Sequence, residues 1–194
     1  MPSDFYATPF PAFQVMIQHL PDGVRYFDPC AGDGRLVSWL RECGHKADGA
    51  DLVKRKGALV PGLGVRDFLT DNTRRDFTLT NPPFTIAQEV AAHALAVSRE
   101  VLLLLRLNML ASDTRAAWWR KNEPSALFVL KDRPSFVMAC TCTACEHKWT
   151  LPSESVRPVV CPVCGVAKPK ITTSDATDYA WFYWGRRYQG IFHP

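Results

Sequence analysis

The fold is decided by a short apolar strand that runs into a glycine-rich loop and then into a helix: Val24-Arg25-Tyr26-Phe27-Asp28-Pro29-Cys30-Ala31-Gly32-Asp33-Gly34-Arg35. Residues 35–43 have helical periodicity with Cys43 on the apolar face, and Gly44 marks the end of that helix. Residues 46–52 follow as a second strand. Because a strand, a helix and another strand in succession form a right-handed crossover unit, this stretch predicts a parallel sheet with helices packed on it.

The same alternation of strands and helices continues along the chain. We predict a helix over 13–20, further strands over 77–80, 101–107, 125–130 and 178–184, a strand end or turn over 65–69, and helices over 86–98 and 114–121. In residues 138–172, by contrast, Cys, Pro, Lys and Thr replace the aliphatic runs. We therefore predict an α/β, doubly wound domain formed by residues 1–137 and 173–194, interrupted by an inserted module at 138–172.

The composition is that of a globular protein. The 194 residues are 47% hydrophobic and 22% charged, and apolar runs such as Val101–Leu105 are far shorter than the roughly 18 residues of a membrane span. The start, Met1-Pro2-Ser3-Asp4, lacks the basic and apolar regions of a signal peptide. We therefore expect a cytoplasmic protein, with no membrane partner and no structural disulfides among its seven cysteines.

Charge is unevenly distributed between the two halves. Residues 1–97 carry 10 Lys and Arg against 11 Asp and Glu, whereas residues 98–194 carry 13 against 8. A basic second half is consistent with a polyanionic partner, and equally with a solvated basic surface.

The glycine loop is a candidate binding site for a nucleotide-like ligand. Glycines after a strand let a ligand approach the backbone closely. Asp51, 17 residues after Gly34 at the end of the next strand, can accept hydrogen bonds from both hydroxyls of a ribose. The loop carboxylates Asp28 and Asp33 would repel a pyrophosphate but suit a sulfonium and an amino group. A glycine turn without a ligand is the alternative interpretation.

The tetrapeptide Asn81-Pro82-Pro83-Phe84 follows a predicted strand, at the edge where doubly wound sheets bind their ligands. Transfer to an aromatic amine needs both N–H groups held, because the nitrogen lone pair is delocalised into the ring. The Asn81 carboxamide oxygen and the Pro82 carbonyl can accept those two N–H groups, since the two prolines fix the backbone with that carbonyl inwards. Phe84 offers a face on which a base can stack. A simple Asn-Pro turn is the alternative.

With these two motifs the chain resembles the amino-group DNA methyltransferases, especially the short adenine-N6 enzymes of phages and prophages. Thr8-Pro9, Asp67-Phe68 and the segments 105–108, 133–136 and 181–184 also resemble that group. The resemblance covers all but the inserted module, and the motif order resembles the gamma arrangement. One departure is the absence of a long target-recognition domain.

The resemblance implies a Rossmann-like methyltransferase fold, S-adenosyl-L-methionine as cofactor, double-stranded DNA as partner, and methyl transfer to N6 of a flipped-out adenine. It implies cofactor-binding residues Thr8, Pro9, Asp28, Pro29, Cys30, Ala31, Gly32, Gly34, Asp51, Leu52, Asp67 and Phe68. The implied catalytic residues are Asn81, Pro82, Pro83 and Phe84. Cys30 is not a candidate nucleophile, because amine methylation needs none.

Four cysteines form two Cys-x-x-Cys pairs, Cys142 with Cys145 and Cys161 with Cys164, separated by 15 residues. This spacing is typical of a zinc ribbon, and four thiolates suit a tetrahedral, structural Zn²⁺ ion. A module of about 35 residues with few aliphatic side chains needs such an ion to fold. The alternatives are iron in place of zinc, a redox-active pair of thiols, and an incidental pairing of the cysteines. Nearby Cys140 and His147 are expected to be bystanders.

Basic residues in two places are candidate DNA contacts. On the predicted helix they are Arg115, Arg120 and Lys121, and in the inserted module Lys148, Arg157, Lys168 and Lys170. The alternatives are an amphipathic surface helix with its tryptophans packed inward, and a ribbon that is structural or dimerising.

Three competing functions stay open at this point: methylation of RNA, methylation of a protein glutamine amide, and DNA binding by a catalytically silent regulator. A homodimer on a near-palindromic site is a further expectation.

Overall fold

The structure is a computed structural model that describes residues 6–55, 57–152, 159–172 and 177–194. Eleven strands lie in these residues: β1 Arg25–Asp28, β2 Lys46–Asp51, β3 Gly64–Val65, β4 Arg75–Thr80, β5 Ser98–Arg106, β6 Ala126–Val129, β7 Val137–Thr141, β8 Lys148–Pro152, β9 Lys170–Thr172, β10 Tyr179–Trp184 and β11 Gly190–Phe192.

The α-helices in the same residues are short. They are α1 Phe10–Gln14, α2 Arg35–Glu42, α3 Ala87–Val97 and α4 Asp113–Lys121, accompanied by 3-10 turns at Ile17–His19, Phe68–Thr70, Phe84–Ile86 and Leu107–Leu110. Among the described residues, no helix has both the length and the apolar character that crossing a bilayer requires.

Eight strands form one sheet in the order β3-β2-β1-β4-β5-β10-β6-β11. Strand β1 pairs in parallel with β2 and β4, and β4 pairs in parallel with β5. Strand β10 is antiparallel to both of its neighbours, β5 and β6, so the sheet is mostly rather than wholly parallel. The chain order reverses between β1 and β4, and the crevice at such a switch point is where doubly wound sheets bind ligands.

Apolar layers cover both faces of this sheet. Alternate residues of β10 face opposite sides: Trp181 belongs to the cluster under α1 and α2, whereas Phe182 belongs to the cluster under α3 and α4. Leu104 and Leu103 of β5 divide in the same way. Since a strand points successive side chains to opposite faces, burial on both sides explains the continuous apolar runs of these strands. The predicted doubly wound α/β architecture is confirmed.

The N-terminal helix differs from the prediction. It begins at Phe10 instead of residue 13, because Pro11 is acceptable in the first turn of a helix, where its missing N–H has no partner to lose. It ends at Gln14, and the Met16 amide donates to the Phe13 carbonyl (2.8 Å). The Ala12 carbonyl, which a continuing α-helix would have used, instead accepts the Trp181 indole N–H (2.7 Å).

Cys43, predicted on the apolar face of the second helix, is exposed. Helix α2 ends at Glu42, so Cys43 is the C-cap residue rather than part of the last turn. Gly44 then turns the chain away in the left-handed conformation (φ +88°), which glycine adopts without strain. The prediction for Cys43 was therefore wrong, although Gly44 does end the helix.

Helix α2 has a left-handed glycine at each end, and the two provide a matched comparison. Gly34 has φ +86° and Gly44 has φ +88°, but a methyl group on Gly34 would lie 3.2 Å from Val60 Cβ, whereas nothing lies within 4 Å at Gly44. We expect Gly44→Ala to lower the free energy of unfolding by about 1 kcal/mol and Gly34→Ala by roughly 1–2 kcal/mol more. Urea unfolding of both variants measures the difference in the free energy of unfolding. Equal losses of stability would show that Val60 moves aside without an energetic cost.

Candidate active site

The glycine loop 28–34 connects β1 to α2 and is bonded to the end of β2. The Gly32 amide donates to the Asp51 carboxylate (2.7 Å), and the Ala31 amide donates to the Ala50 carbonyl (2.9 Å). Glycine at position 49 of β2 allows the loop to approach the strand this closely, because a methyl group there would lie 3.0 Å from the Ala31 side chain. The predicted loop and the predicted acidic strand end are thus in direct contact.

A cavity of about 640 Å³ opens beside this loop, at the carboxyl ends of β1, β2 and β4. Its volume is typical of a small-molecule site. It is lined by most of the residues predicted for cofactor and catalysis: Thr8, Asp28, Pro29, Cys30, Ala31, Asp51, Leu52, Asp67, Phe68, Asn81, Pro82 and Pro83. The predicted residues Pro9, Gly32, Gly34 and Phe84 lie outside this lining. The roles assigned to all sixteen stay predictions.

Asn81, at the end of β4, holds the N-terminal segment against the cavity. Its Nδ2 group donates to the Tyr6 carbonyl (3.0 Å) and to Thr8 Oγ1 (3.1 Å). Its Oδ1 atom is buried and has no hydrogen-bond partner among the described residues. Buried acceptors are nearly always satisfied in folded proteins, so an unpaired carboxamide oxygen in a cavity wall indicates a ligand that supplies the donor.

Phe84 lies in a cluster of aromatic side chains. The Tyr6 ring stacks on it (centroids 5.6 Å apart, planes at 22°), and the Arg106 guanidinium lies 4.3 Å from its centroid. The Phe136 and Tyr179 rings are 5.9 and 5.7 Å away. The sequence predicts a ring face open to a base, whereas here Tyr6 and Arg106 contact the ring. A base that stacks on Phe84 therefore has to displace one of them.

Burial perturbs two groups of the cavity wall. The Asp28 side chain is almost wholly inaccessible, and burial raises its pKa to about 7, although its Oδ1 accepts the Cys30 amide N–H (3.1 Å). Burial, followed by the negative charge of Asp28, also raises the pKa of the Cys30 thiol far above its usual value. A thiol held protonated in this way is a poor nucleophile, which agrees with the expectation that Cys30 is not a nucleophile.

Three arginines in the cavity wall were missed from the sequence. Arg35 forms a salt bridge with Asp33 (2.8 Å) and donates to the Thr8 carbonyl (3.0 Å). Arg55 approaches Asp51 (3.8 Å), and Arg66 pairs with Asp71 (3.1 Å). Two of these arginines could have been recognised in the sequence by their short spacing to an aspartate, which is two residues for Arg35 and four for Arg55. Because Asp33 is paired with Arg35, its negative charge repels a phosphate ligand less than the sequence suggested.

The two Cys-x-x-Cys pairs come together in loops next to a second, smaller sheet of order β8-β7-β9, with Cys142 directly after β7. The sulfur atoms of Cys142, Cys145, Cys161 and Cys164 lie within 4.8 Å of one another, with Cys142 and Cys164 3.4 Å apart and Cys145 and Cys161 3.7 Å apart. Tetrahedral thiolates at the Zn–S distance of about 2.3 Å lie roughly 3.8 Å apart. The cluster therefore has the size and donor set to hold zinc.

The two cysteine loops have matching backbone geometry. Amides of Ala144 and Cys145 point at the Cys142 sulfur, and the amide of Val163 points at the Cys161 sulfur, all at 3.4 Å. The residue after each pair, Glu146 or Gly165, has a positive φ. Amides aimed at sulfur stabilise thiolates, so both loops suit metal ligation.

Cys140 and His147 stand outside the four-sulfur cluster, as expected. Cys140 is buried with Val159 in a small apolar core, against which Trp149 packs. The His147 ring stacks on Trp149 (centroids 5.8 Å apart). Trp149 therefore packs within this small module rather than standing free in solvent.

The candidate DNA contacts differ in availability. Arg120, Lys121, Lys148, Lys168 and Lys170 are exposed, while Arg157 lies outside the described residues. The Arg115 guanidinium donates to the Met109 carbonyl (3.2 Å), and the buried Trp119 indole donates to the same carbonyl (2.6 Å). Helix α4 thus packs its tryptophan inward, as the alternative interpretation expected.

Comparison with known proteins establishes the fold. No family profile and no curated protein sequence matches the chain. A solved structure from Pyrococcus horikoshii, named as a candidate RNA methyltransferase, matches with a TM-score of 0.54 and 12% identity, over 91% of this chain and 82% of its own. A chain of a type I R-M system matches with a TM-score of 0.52 and 13% identity, over 97% of this chain and 44% of its own. At these identities the likeness shows the fold, and the predicted methyltransferase fold is confirmed.

The buried Asp28 makes stability depend on pH. Its pKa rises from 3.8 to about 7 on folding, so the folded chain binds more protons between these values and loses stability as the pH rises through them. Asp28→Asn keeps an oxygen for the Cys30 amide but cannot ionise. We expect the variant to gain roughly 2 kcal/mol relative to wild type between about pH 5 and pH 7, and no more above that.

The measurement is the free energy of unfolding in urea for both proteins, without ligand, across this pH range. A difference between the two proteins that stays constant with pH would contradict the proposed state of Asp28.

Proposed function

We propose that this protein is an S-adenosylmethionine-dependent methyltransferase that transfers a methyl group to N6 of an adenine flipped out of duplex DNA. The observation that carries the proposal is the buried, unpaired Oδ1 atom of Asn81 in the wall of the cavity beside the glycine loop. This atom can accept a hydrogen bond from an acceptor amine next to a bound nucleoside-type cofactor.

The chain's own residues fit that cofactor. Asp51 accepts one amide on each carboxylate oxygen, from Gly32 and from Val53, which leaves lone pairs for ribose hydroxyls. Phe68 is buried in the cavity wall, and the Asp67 side chain accepts the Leu69 amide (2.9 Å). These two residues would contact the adenine of the cofactor. When bound, S-adenosylmethionine supplies an electrophilic methyl group on a sulfonium sulfur.

The acceptor side follows from the chemistry of an aromatic amine. Asn81 Oδ1 would accept one N–H and the Pro82 carbonyl the other, which draws the nitrogen towards tetrahedral geometry and stabilises the developing positive charge. Asn81 stays in place because its Nδ2 group is bonded to Tyr6 and Thr8. Positioning supplies much of the rate in such a reaction, so no nucleophilic side chain is needed.

The aromatic cluster around Phe84 favours a planar base as the acceptor. A base buried in a duplex cannot reach Asn81, so it has to leave the stack, and stacking on an aromatic ring offsets part of that cost. The matched structures differ in what their names state, RNA methylation for one and a type I R-M system for the other. RNA and protein glutamine are therefore the acceptors against which DNA has to be tested.

We propose in addition that one structural Zn²⁺ ion binds Cys142, Cys145, Cys161 and Cys164. The described apolar core of the small sheet contains two buried residues, Cys140 and Val159. A core of this size cannot stabilise a separate sheet in water, whereas a metal bound by four thiolates can. On this view residues 138–172 are an inserted zinc ribbon, and residues 1–137 and 173–194 form the methyltransferase domain.

Replacing Asn81 tests the proposed reaction. We expect Asn81→Ala to reduce methyl transfer at least a hundredfold, because the amine loses an oriented acceptor in a water-poor site. S-adenosylmethionine binding, measured by calorimetry, should fall far less. The assay is transfer of labelled methyl to unmethylated genomic DNA, with RNA and total protein as parallel acceptors, followed by digestion to nucleosides.

Asn72→Ala is the matched control, because it makes the same substitution at an exposed asparagine outside the cavity lining. It should retain much more activity than Asn81→Ala. Label recovered as N6-methyldeoxyadenosine supports the proposal; undiminished transfer by Asn81→Ala, or label confined to RNA or protein, would refute the assigned role or the assigned substrate.

Zinc analysis tests the ribbon. We expect one zinc ion per chain in the purified protein, and Cys145→Ser should lose it together with the folded ribbon, because three thiolates bind zinc far more weakly than four. Cys43→Ser is the control, since Cys43 is equally exposed but lies outside the cluster. Elemental analysis of the three proteins gives the answer, and a metal-free wild type or iron in place of zinc would overturn the assignment.

A further inference from the structure

The ribbon is attached to the main sheet at the aromatic cluster around Phe84. Strand β7 begins at Val137, directly after Phe136, whose ring lies 5.9 Å from the Phe84 ring. On the return, β10 begins at Tyr179, whose ring lies 5.7 Å from Phe84 and 5.1 Å from Phe136. The chain therefore leaves and re-enters the catalytic sheet beside the residues that we assign to the acceptor base. A long acceptor bound there has to pass close to the ribbon.

The two faces of the ribbon sheet differ in chemistry. Cys140 pairs with Trp149 on β8 and Ile171 on β9, and this row packs on the small apolar core. The next row is Lys148 on β8, Thr141 on β7 and Lys170 on β9. Because successive residues of a strand point to opposite faces, the two lysines and Thr141 share the face away from that core.

Lys148 and Lys170 are both exposed, and neither forms an ion pair with any residue that the structure describes. Two strand spacings place their backbones roughly 10 Å apart across Thr141. Lys168, which is also exposed, lies two residues before Lys170. Two exposed cations that flank a threonine on one face of a small sheet suit the phosphates of a nucleic acid.

We propose that this lysine face, formed by Lys148 and Lys170 with Thr141 between them, binds backbone phosphates of the DNA duplex beside the target adenine. The inference rests on the proposed function, because it takes DNA as the acceptor. It gives the ribbon the task of holding the duplex while Asn81 and Phe84 take up the base. Phosphate contacts position a duplex without selecting its sequence, so the lysine face contributes affinity rather than a recognition code.

The test is the double variant Lys148→Gln with Lys170→Gln. Each phosphate contact contributes about 0.9 to the slope of log affinity against log salt, so the slope should fall in magnitude by about 2. Affinity for an unmethylated, fluorescein-labelled DNA duplex should drop by roughly tenfold to a hundredfold at about 0.1 M salt. The KM for DNA should rise accordingly, while kcat at saturating DNA stays within a few-fold of wild type.

The matched control is Lys46→Gln with Arg99→Gln, which makes the same change of charge at exposed sites. Lys46 is the first residue of β2 and Arg99 is the second residue of β5, so both lie at the sheet edge opposite the cavity. This pair should leave DNA affinity and its salt slope unchanged. Zinc content and S-adenosylmethionine binding of both double variants establish that each is folded.

The outcomes separate this inference from the proposed function. If wild type binds and methylates DNA but the ribbon variant keeps the wild-type affinity and slope, the lysine face has no part in binding. If wild type methylates RNA or protein and not DNA, the proposed function fails first, and the inference fails with it. A drop in affinity shared by the ribbon and control variants would also overturn the inference, since net charge alone would explain it.

Discussion

The hydrogen bond from the Gly32 amide to the Asp51 carboxylate (2.7 Å) joins the loop after β1 to the end of β2. Together with the bond from the Ala31 amide to the Ala50 carbonyl, it keeps the loop folded over the carboxyl edge of the sheet. Parallel strands end at the same edge, and the reversal of strand order between β1 and β4 leaves a crevice there. The cavity and the position of Asn81 across from the loop both depend on this arrangement.

The two polar atoms of Asn81 differ in their surroundings, and only the proposed function gives the second one a chemical role. The Nδ2 group holds the N-terminal segment through Tyr6 and Thr8, and the Oδ1 atom stays buried without a partner. An unsatisfied buried acceptor costs about 1–3 kcal/mol of stability. This cost arises where an acceptor amine would supply the missing hydrogen bond. The burial of Asp28, which disfavours its charged form, adds a second cost in the same cavity wall. Stability is thus reduced at the candidate site and recovered in the apolar layers on both faces of the sheet.

The proposed acceptor side is built from residues that are distant in sequence. Tyr6, Phe84, Phe136 and Tyr179 meet through ring contacts of 5.1 to 6.2 Å, and the Arg106 guanidinium lies over the Phe84 ring. Phe136 directly precedes β7 and Tyr179 begins β10, so the cluster lies between the main sheet and the proposed ribbon. Any movement of Tyr6 that admits a base is coupled to the cavity, because its backbone carbonyl is bonded to Asn81.

The sequence by itself determined what depends on neighbouring residues: the strand–loop–helix unit around residues 28–34, the placement of Asn81 at a strand end, and the paired cysteine spacing. Turn geometry and ligand chemistry are local, so spacing suffices to predict them. Only the tertiary structure decided the antiparallel direction of β10, whose residues are buried on both faces and carry no directional pattern. It also decided that Tyr6 stacks on Phe84, that Arg35 holds the Thr8 carbonyl, and that Cys43 lies beyond its helix. The first two contacts join segments that are far apart in the chain, and the position of Cys43 depends on a shift of one residue in the end of a helix. Packing, rather than local propensity, decides both kinds of feature.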